Sequence, residues 1–338
     1  MNVEKYGIVV TTINHPTRAV EEILRDTPKL DASFYIIGDT KSPPSFSAPG
    51  SIYLDIPAQE QSGFAFGRLA PTRHYARKNV GYLQAARDGC TVIIETDDDN
   101  IPLADFWLPR TRMVEGDLVS EPGWVNAYRY FTDALIWPRG LPLDAIHSIA
   151  PESRPADGSL VDCPIQQGLA DRNPDVDAIY RLVLPLPLDF LPDRTVVLDR
   201  DVWCPFNSQN TTWWREAFPL LYLPSHCSFR MTDIWRSFVA QRICWENGWR
   251  LMFHSSTVFQ ERNEHNLMHD FRDEVPGYLH NDSIKKTLEG LSLQAGVRHL
   301  GANLRVCYAA LVELGVVGSE ELPLIDAWNQ DFEGLPTP

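Results

Sequence analysis

The sequence lacks any long hydrophobic run, although it has 338 residues. No apolar segment approaches the roughly 20 residues that a membrane-spanning helix requires. Near the first residue, the apolar segment 8–12 is too short for the core of a signal peptide. We therefore expect a cytoplasmic protein that does not span a membrane.

Paired cysteines and a basic excess are also missing. The six cysteines are scattered without a CxxC pair, which predicts buried thiols in a reducing compartment. Lys and Arg number 30 against 45 Asp and Glu, so the formal net charge is -15. A nucleic-acid-binding protein needs a basic face, and this class is therefore not expected. An acidic protein can still bind an anionic ligand if a metal ion and a few basic residues line one cleft.

The most distinctive feature present is an acidic cluster that follows a short apolar run. Residues 91–94 indicate a buried strand, and Asp97, Asp98 and Asp99 lie beyond its carboxyl end. In open α/β sheets, ligands bind just outside the carboxyl ends of the strands. Because neighbouring carboxylates repel each other, Mg²⁺ or Mn²⁺ would be a suitable counter-ion that can also bridge to phosphate oxygens. The alternative is a solvated acidic turn.

The first hundred residues alternate strand and helix patterns. Strands are predicted at 6–13, 33–38 and 51–56, a helix after Pro16, a loop at 61–72, and a helix at 73–87 before the acidic strand. A strand, a helix and a strand in succession predict a parallel pair with a right-handed crossover. The pattern predicts an α/β fold whose first hundred residues form a nucleotide-binding half.

The remaining sequence begins irregularly and ends with clearer helical patterns. Residues 101–229 show little regular periodicity, which predicts long structured loops. Thr232 is placed to cap a helix over 233–247, and a strand is predicted at 249–253. Two further helices, one after Ser283 and one around 304–314, would form a C-terminal helical cover.

Three charged residues outside the acidic cluster are candidates for chemistry. Arg77 and Lys78 lie near the start of the helix before the acidic strand, where they could bind an anion or simply be solvated. Asp233 lies in the first turn of its helix, where the helix dipole favours the ionised carboxylate. An ionised carboxylate can act as a general base, but the same position also suits a purely structural charge.

Two histidines are candidates for completing a metal site. His254 follows a predicted strand, and His265 lies in a polar segment shortly after it. A single histidine is more often structural than a ligand, so spacing alone leaves both possibilities open.

Several segments, taken in order, resemble two related groups of proteins. The segments YGIVVTTIN, YIIGD and YARKNVGYLQAARDGCTVIIETDDDN resemble the nucleotide-binding half of STELLO-type glycosyltransferases. They are also similar to the reversibly glycosylated polypeptides, which include the plant UDP-arabinopyranose mutases. Further similarity to the mutases lies at 137–142 (WPRGLP), 166–178 (QQGLADRNPDVDA), 231–236 (MTDIWR) and 253–255 (FHS). Residues 257–278 (TVFQERNEHNLMHDFRDEVPGY) are similar to the STELLO-type group in particular.

This resemblance implies a GT-A-like fold with a mixed, mainly parallel central sheet. Residues 1–280 would form the catalytic domain, with a nucleotide-binding half at 1–100 and an acceptor half at 101–280. Residues 281–338 would form a helical extension packed on that domain.

The resemblance also implies roles for the matched residues. Asp97 and Asp99 would bind Mn²⁺ or Mg²⁺, with Asp97 or Asp98 also facing the sugar. Asp233 would be the base of an inverting displacement, and His254 an additional metal ligand. The other donor-binding residues would be Thr11, Thr12, Asp39, Arg77, Lys78 and Arg139.

The expected function is metal-dependent glycosyl transfer in polysaccharide biosynthesis. A nucleotide-sugar donor, with a UDP-sugar favoured, would give its sugar to a hydroxyl of a glycan or small-molecule acceptor. One alternative is a nucleotide-sugar mutase, which uses the same donor pocket without an acceptor. Another is a non-enzymatic module that holds a metal ion and binds sugars through Trp203, Trp213 and Trp214.

Overall fold

A computed structural model describes residues 4–155, 159–262 and 266–335. The strands are β1 Tyr6–Thr11, β2 Ser33–Ile37, β3 Ile52–Leu54, β4 Val92–Thr96, β5 Asn100–Pro102, β6 Met113–Val114, β7 Asp117–Val119, β8 Gly123–Trp124, β9 Arg154–Pro155, β10 Val161–Asp162, β11 Ile165–Asp171, β12 Thr195–Leu198, β13 Val202–Trp203, β14 Asn210–Trp214 and β15 Leu251–Gln260. The α-helices are α1 Arg18–Asp26, α2 Ile56–Gln61, α3 Ala65–Leu69, α4 Lys78–Arg87, α5 Ala178–Val183, α6 Thr232–Glu246, α7 Leu267–Glu289, α8 Leu300–Glu313 and α9 Glu321–Glu333.

One large mixed sheet forms the centre of the molecule. Its order is β3-β2-β1-β4-β14-β11-β15-β12-β7-β9, and β5 pairs with β15. The strands β3, β2, β1 and β4 are parallel, whereas β14 joins β4 in the antiparallel direction. Farther along the sheet, β11 and β15 are again parallel. This architecture confirms the predicted mixed α/β fold class.

Strand β1 is buried on both faces because helices cover both sides of the sheet. Ile8 on one face shares a hydrophobic cluster with Val20 of α1. Val9 on the other face shares a cluster with Leu83 of α4. A Cβ added at Gly81 would lie 2.6 Å from Val9, so the glycine allows α4 to approach the sheet closely. The predicted strand–helix–strand unit is therefore present, with its crossover packed on the sheet.

A buried carboxylate on β4 joins the sheet to two helices. Glu95 accepts hydrogen bonds from Tyr82 of α4, from Trp213 Nε1 at 2.9 Å and from Arg236 Nη1 of α6 at 2.9 Å. Glu95 and Arg236 are both almost completely buried. Because paired buried charges resist separation, this network fixes α6 against the strand that leads to the acidic cluster.

The helix predicted at 73–87 begins later than expected. Arg73 has a φ of +60°, and residues Tyr75–Arg77 form a 3₁₀ turn before α4 begins at Lys78. The backbone N–H groups of Arg73 and His74 donate to the Asp39 carboxylate, so these residues lie outside the helix. The predicted loop at 61–72 also contains α3.

The prediction that Thr232 caps α6 is wrong. Thr232 is the first residue of the helix, and the preceding Met231 provides no side-chain cap. A 3₁₀ turn at Phe229–Met231 runs directly into α6, so the chain needs no separate capping residue there. The following strand, β15, begins at Leu251 and continues to Gln260, well beyond the predicted end at 253.

The C-terminal helical cover is confirmed, although its helices differ from those expected. Among the described residues, α7, α8 and α9 replace the two predicted helices, and α7 begins at Leu267. Trp328 of α9 packs edge-on against Phe66 and Tyr222, with ring centroids 5.9 and 5.6 Å apart. Helix α7 passes continuously through position 280, and the division of the chain there stays a prediction.

The cysteine side chains are free and mostly buried, as their scattered positions predict. All six cysteines are free, and five of them are buried while Cys227 is partly exposed. Across the described ranges, no helix combines the length and apolar character needed to cross a membrane.

Candidate active site

The acidic cluster lies at the carboxyl end of β4, as predicted, beside the end of β1. Asp98 Oδ2 accepts hydrogen bonds from Thr12 Oγ1 at 2.5 Å and from Asn14 Nδ2 at 3.1 Å. Asp99 Oδ1 accepts from Gln260 Nε2, at the end of β15, at 3.1 Å. The cluster is therefore held by segments that follow β1 and end β15, and three carboxylates meet at one edge of the sheet.

Lys78, the first residue of α4, connects that helix to the acidic cluster. Its fully buried Nζ donates to the Thr96 carbonyl at 2.6 Å, to Asp97 Oδ1 at 3.2 Å and to the Ser208 carbonyl at 3.4 Å. Desolvation in the cleft raises the pKa of Asp97 to about 7, because Lys78 offsets only part of the effect and Asp99 adds to it. The side chain of Asp97 is 37% exposed, so its carboxylate can be reached from solvent.

Arg77, the neighbour of Lys78, points elsewhere. Its Nε donates to Gln59 Oε1 at 2.6 Å, and its terminal nitrogens donate to the carbonyls of Ala70 at 2.7 Å and Gly67 at 3.0 Å. The buried guanidinium thus supports the segment around α3. The structure separates the two basic residues that the sequence placed together.

Two adjoining cavities open at this edge of the sheet. The acidic cleft has a volume of about 220 Å³ and is lined by Thr11, Asp97, Asp98, Asp99, Arg139, Asp175, Arg181, Gln209, Arg230, Asp233, Gln260 and Arg262. The aromatic pocket has a volume of about 600 Å³ and is lined by Thr11, Thr12, Ile13, Asn14, Ile37, Gly38, Asp39, Lys41, Arg73, His74, Tyr75, Arg77, Asp98 and Phe229. Thr11 and Asp98 line both cavities, so one extended ligand could occupy the two together.

The aromatic pocket has a mixed apolar and polar wall. His74 stacks on Tyr75, and Phe229 meets both rings edge-on with centroid distances of 5.1 and 5.0 Å. Asp39 fixes the backbone that carries these rings by accepting the N–H groups of Arg73 at 2.8 Å and His74 at 3.0 Å. His74 Nδ1 accepts the Ala76 N–H at 3.0 Å, while its buried Nε2 has no partner in the described chain. A polar ligand atom could satisfy this nitrogen.

Arg139 joins two carboxylates at the base of the acidic cleft. Its Nε and Nη2 donate to Asp175 at 2.8 and 2.7 Å, and its Nη1 and Nη2 donate to Asp233 at 3.1 Å each. Asp233 also accepts from Tyr75 OH at 3.2 Å and from the Ser208 N–H at 3.1 Å. Burial opposes ionisation of Asp233, but the charge and hydrogen bonds of Arg139 hold its pKa well below the ordinary range.

Three cleft arginines were missed by the sequence interpretation. Arg181 belongs to α5, Arg230 to the turn before α6, and Arg262 to the segment after β15. Arg230 directly precedes the recognised segment 231–236, and Arg262 lies inside the segment 257–278, so the motifs offered a signal for these two. Arg181 stands in no recognised motif except as a neighbour of 166–178.

His254 is not brought to the acidic cluster. It lies six residues before Gln260 on β15, which places it roughly 20 Å along the strand from the residue that contacts Asp99. Its Nδ1 is 2.8 Å from the Ser255 carbonyl oxygen, and its ring lines a separate cavity with Arg110. Burial and the charge of Arg110 lower its pKa well below the usual value. His265 lies outside the described residues.

The acidic cluster has the donor chemistry of a Mg²⁺ or Mn²⁺ site but no preformed cage. Within the residues that the structure describes, no group of three or more His, Cys, Asp or Glu side chains is arranged around one metal position. Such ions commonly use one or two carboxylates together with ligand phosphates and water. The pKa of Asp97 is raised mainly by desolvation and secondarily by the charge of Asp99, and a bound divalent ion would favour its ionised form.

The mixed sheet and the acidic strand end beside two joined pockets are consistent with a GT-A-like glycosyltransferase fold. Residues 230–335 match the family of STELLO glycosyltransferases. The chain is 28% identical over 346 residues to "Probable glycosyltransferase STELLO2" of Arabidopsis thaliana. It is 26% identical over 355 residues to "Probable glycosyltransferase STELLO1" of the same plant. Each alignment covers 96% of this chain, which confirms the resemblance identified from the sequence motifs.

The similarity includes only part of each relative. The chain spans 44% of the length of both STELLO proteins. The family match begins at Arg230 and includes Asp233, Arg262 and the C-terminal helices, whereas the acidic cluster lies before it.

Proposed function

We propose that this chain is a metal-dependent glycosyltransferase that transfers a sugar from a nucleotide-sugar donor, with a UDP-sugar favoured. The main support is the pair of cavities that share Thr11 and Asp98 at the carboxyl ends of β1 and β4. This is the edge of an α/β sheet where nucleotide ligands bind. The similarity to proteins named as glycosyltransferases supports the same class of activity.

The two cavities suggest how the donor is divided. The aromatic pocket has the size and rings to receive the nucleoside, with Thr12, Asp39 and the free Nε2 of His74 as polar contacts. The acidic cleft would receive the diphosphate and the sugar. Asp98 lies at the junction, where Thr12 and Asn14 orient its carboxylate.

Asp97 and Asp99 would hold Mn²⁺ or Mg²⁺ at this junction. When bound, the ion would neutralise charge that develops on the departing diphosphate. The chain's own contribution is positional: Lys78 fixes Asp97, and Gln260 fixes Asp99. Arg77 and Lys78 would support this arrangement from behind instead of contacting the donor, because their nitrogens are bonded to protein acceptors.

Asp233 is the proposed base that accepts the proton of the acceptor hydroxyl in an inverting displacement. Its ionised state and its position in the cleft support this role. The contacts with Arg139 also make Asp233 a weak proton acceptor. A base and a purely positioning residue would therefore give different pH profiles of the transfer rate. All three side-chain nitrogens of Arg139, in the mutase-like segment 137–142, donate to protein acceptors and are not free to bind a donor sugar.

Calorimetric titration with UDP and UDP-sugars, with and without Mn²⁺, tests the proposal directly. Donor binding should require the metal, and Asp99→Ala should remove the metal-dependent part. The matched control is Asp326→Ala, which removes an exposed carboxylate on α9. If UDP bound Asp99→Ala as well as the wild type in Mn²⁺, the metal assignment would be wrong.

A second measurement identifies the donor. Thermal-shift screening of UDP-, GDP-, CMP- and dTDP-sugars with Mn²⁺ should show one nucleotide that raises the melting temperature above the others, because a ligand of the native state stabilises it. Transfer to candidate glycans should then be measured with that donor. If none of these nucleotide sugars raised the melting temperature, the proposed function would be contradicted.

A further inference from the structure

Three arginines that the proposed donor site does not use, Arg181, Arg230 and Arg262, line the acidic cleft among its carboxylates. Arg230 pairs with Glu274 at 2.9 Å, and Arg262 pairs with Asp270 at 2.9 Å. Arg181 forms no ion pair with any residue in the described ranges, and its Nη2 donates only to the Pro174 carbonyl at 2.8 Å. The carboxylates of Asp175 and Glu274 act on Arg181 electrostatically, but neither forms an ion pair with its guanidinium.

The environment of Arg181 is unfavourable without an anion. Its Nε is buried and has no hydrogen-bond partner among the described residues. Burial and the charges of Arg262 and Arg230 lower its pKa to about 9, although the carboxylates of Asp175 and Glu274 oppose the shift. Burial and the charge of Arg230 also lower the pKa of Arg262, although the carboxylates of Asp270, Asp175 and Asp99 oppose this shift. Three guanidinium groups that repel each other across a partly desolvated cavity form a site that an anion would stabilise.

The position of these arginines separates them from the place proposed for the nucleoside. None of Arg181, Arg230 and Arg262 lines the aromatic pocket, although all three line the acidic cleft. The aromatic pocket and the acidic cleft share Thr11 and Asp98, which lie at the ends of β1 and β4. The arginines come from α5, the turn before α6 and the segment after β15.

We infer that Arg181, Arg230 and Arg262 bind a second anionic group, a carboxylate or phosphate carried by the acceptor or by the transferred sugar. This inference rests on the proposed function, because it places the donor diphosphate beside Asp97, Asp98 and Asp99. Guanidinium groups suit both anions, since their planar N–H donors can bind two oxygens at once. The enzyme would thus prefer an acidic substrate to a neutral one of the same size.

The test uses the full chain and glucuronate as a carboxylate probe, with inorganic phosphate as a second probe and glucose as the neutral control. Binding is titrated with and without saturating UDP and Mg²⁺. Wild-type protein should bind glucuronate or phosphate in both conditions and should not bind glucose comparably. Arg181→Gln should weaken anion binding at least roughly tenfold, which is the lower range for losing a charge-assisted hydrogen bond.

Two control variants separate this site from general charge and folding effects. Arg181→Lys keeps the charge and should retain part of the affinity. Arg272→Gln removes a cation from an exposed position on α7 and should leave binding unchanged. Absence of anion binding by the wild type, equal loss in Arg272→Gln, or unchanged binding in a folded Arg181→Gln would each overturn the inference.

The source of the anion is resolved by comparing UDP-glucuronate with UDP-glucose. Tighter binding of UDP-glucuronate that Arg181→Gln abolishes would assign the arginines to the transferred sugar. Equal binding of the two donors, together with glucuronate binding alongside UDP, would assign them to the acceptor. If UDP displaces the probes, the arginines hold the donor diphosphate and the inference is wrong. Failure of UDP itself to bind contradicts the proposed function instead, so the two failures are distinct.

Discussion

Arg139 and Asp233 face each other across the base of the cleft through two parallel N–H···O contacts of 3.1 Å. The same guanidinium binds Asp175 through two shorter contacts of 2.8 and 2.7 Å. One cation therefore orients two carboxylates and keeps Asp233 ionised. The planar fork of arginine makes this geometry possible, whereas the single ammonium of lysine does not.

We predict that Asp233→Asn lowers sugar transfer by roughly 100-fold to 10,000-fold, the range of general acid–base catalysis. Metal-dependent UDP binding should remain, because Asp233 is not among the proposed metal ligands. The measurements are initial transfer rates and calorimetric UDP binding. Asp199→Asn, at a partly exposed ion pair with Arg250, serves as the control and should transfer normally. Wild-type rates in Asp233→Asn would exclude its role as the base.

The buried pair of Glu95 and Arg236 should contribute strongly to folding. Arg236→Met leaves an unpaired carboxylate in the core, and we predict a loss of about 3–5 kcal/mol in the free energy of unfolding. Urea denaturation measures this change. Replacing both partners, as in Glu95→Leu with Arg236→Met, should cost less than Arg236→Met alone, because no buried charge remains. A double variant less stable than the single one would contradict the assignment.

Phe229 should contribute to nucleoside binding. Its side chain is 45% exposed at the aromatic pocket and packs edge-on against His74 and Tyr75. A base that stacks on an aromatic ring gains about 1–3 kcal/mol, so Phe229→Ala should weaken UDP binding by roughly 5-fold to 100-fold. Leu279→Ala removes an exposed apolar side chain on α7 and is the control. Unchanged UDP affinity in Phe229→Ala would remove this residue from the proposed pocket.

Acid should destabilise the protein partly through His74. Burial and the charge of His226 lower the pKa of His74 from 6.5 to about 4, although Asp39 opposes the shift. The unfolded chain therefore binds a proton more readily than the native chain between these values. Stability from this group is complete above pH 6.5 and is lost as the pH falls towards 4.

His74→Asn is the matched variant, because the Asn Oδ1 can replace Nδ1 as the acceptor of the Ala76 N–H. Melting temperatures of wild type and variant should be compared at several pH values from 8 down to about 4. The wild type should lose more stability on acidification than the variant does. Parallel curves for the two proteins would show that His74 does not titrate as expected.

Local sequence patterns predicted the parallel half of the sheet and the acidic strand end well. An apolar run followed by three aspartates marks Asp97, Asp98 and Asp99 without knowledge of distant residues. Glycine and helical periodicity likewise identified the helix before β4. These features depend on neighbours in the chain, so the sequence is informative about them.

Contacts between distant segments could not be predicted in the same way. Arg77 and Lys78 are adjacent, but a change from a 3₁₀ turn to an α-helix sends one guanidinium towards Gln59 and the ammonium towards Asp97. His254 was separated from the acidic cluster by the unexpected length of β15. The three cleft arginines come from separate segments, so motif positions could mark Arg230 and Arg262 but could not show that all three meet in one cleft.

Glu274 of α7 lies outside the cleft, yet it governs how two of the cleft arginines are presented. Its buried carboxylate accepts from Arg230 Nε at 3.0 Å and from the Ala178 N–H at 2.7 Å, at the start of the helix that carries Arg181. A single side chain thus links the Arg230 guanidinium to the first turn of the helix that carries Arg181, which limits the spacing of the two arginines. An anion that matches this spacing can bind with little loss of conformational freedom, and a mismatched one would have to pull α5 away from α7.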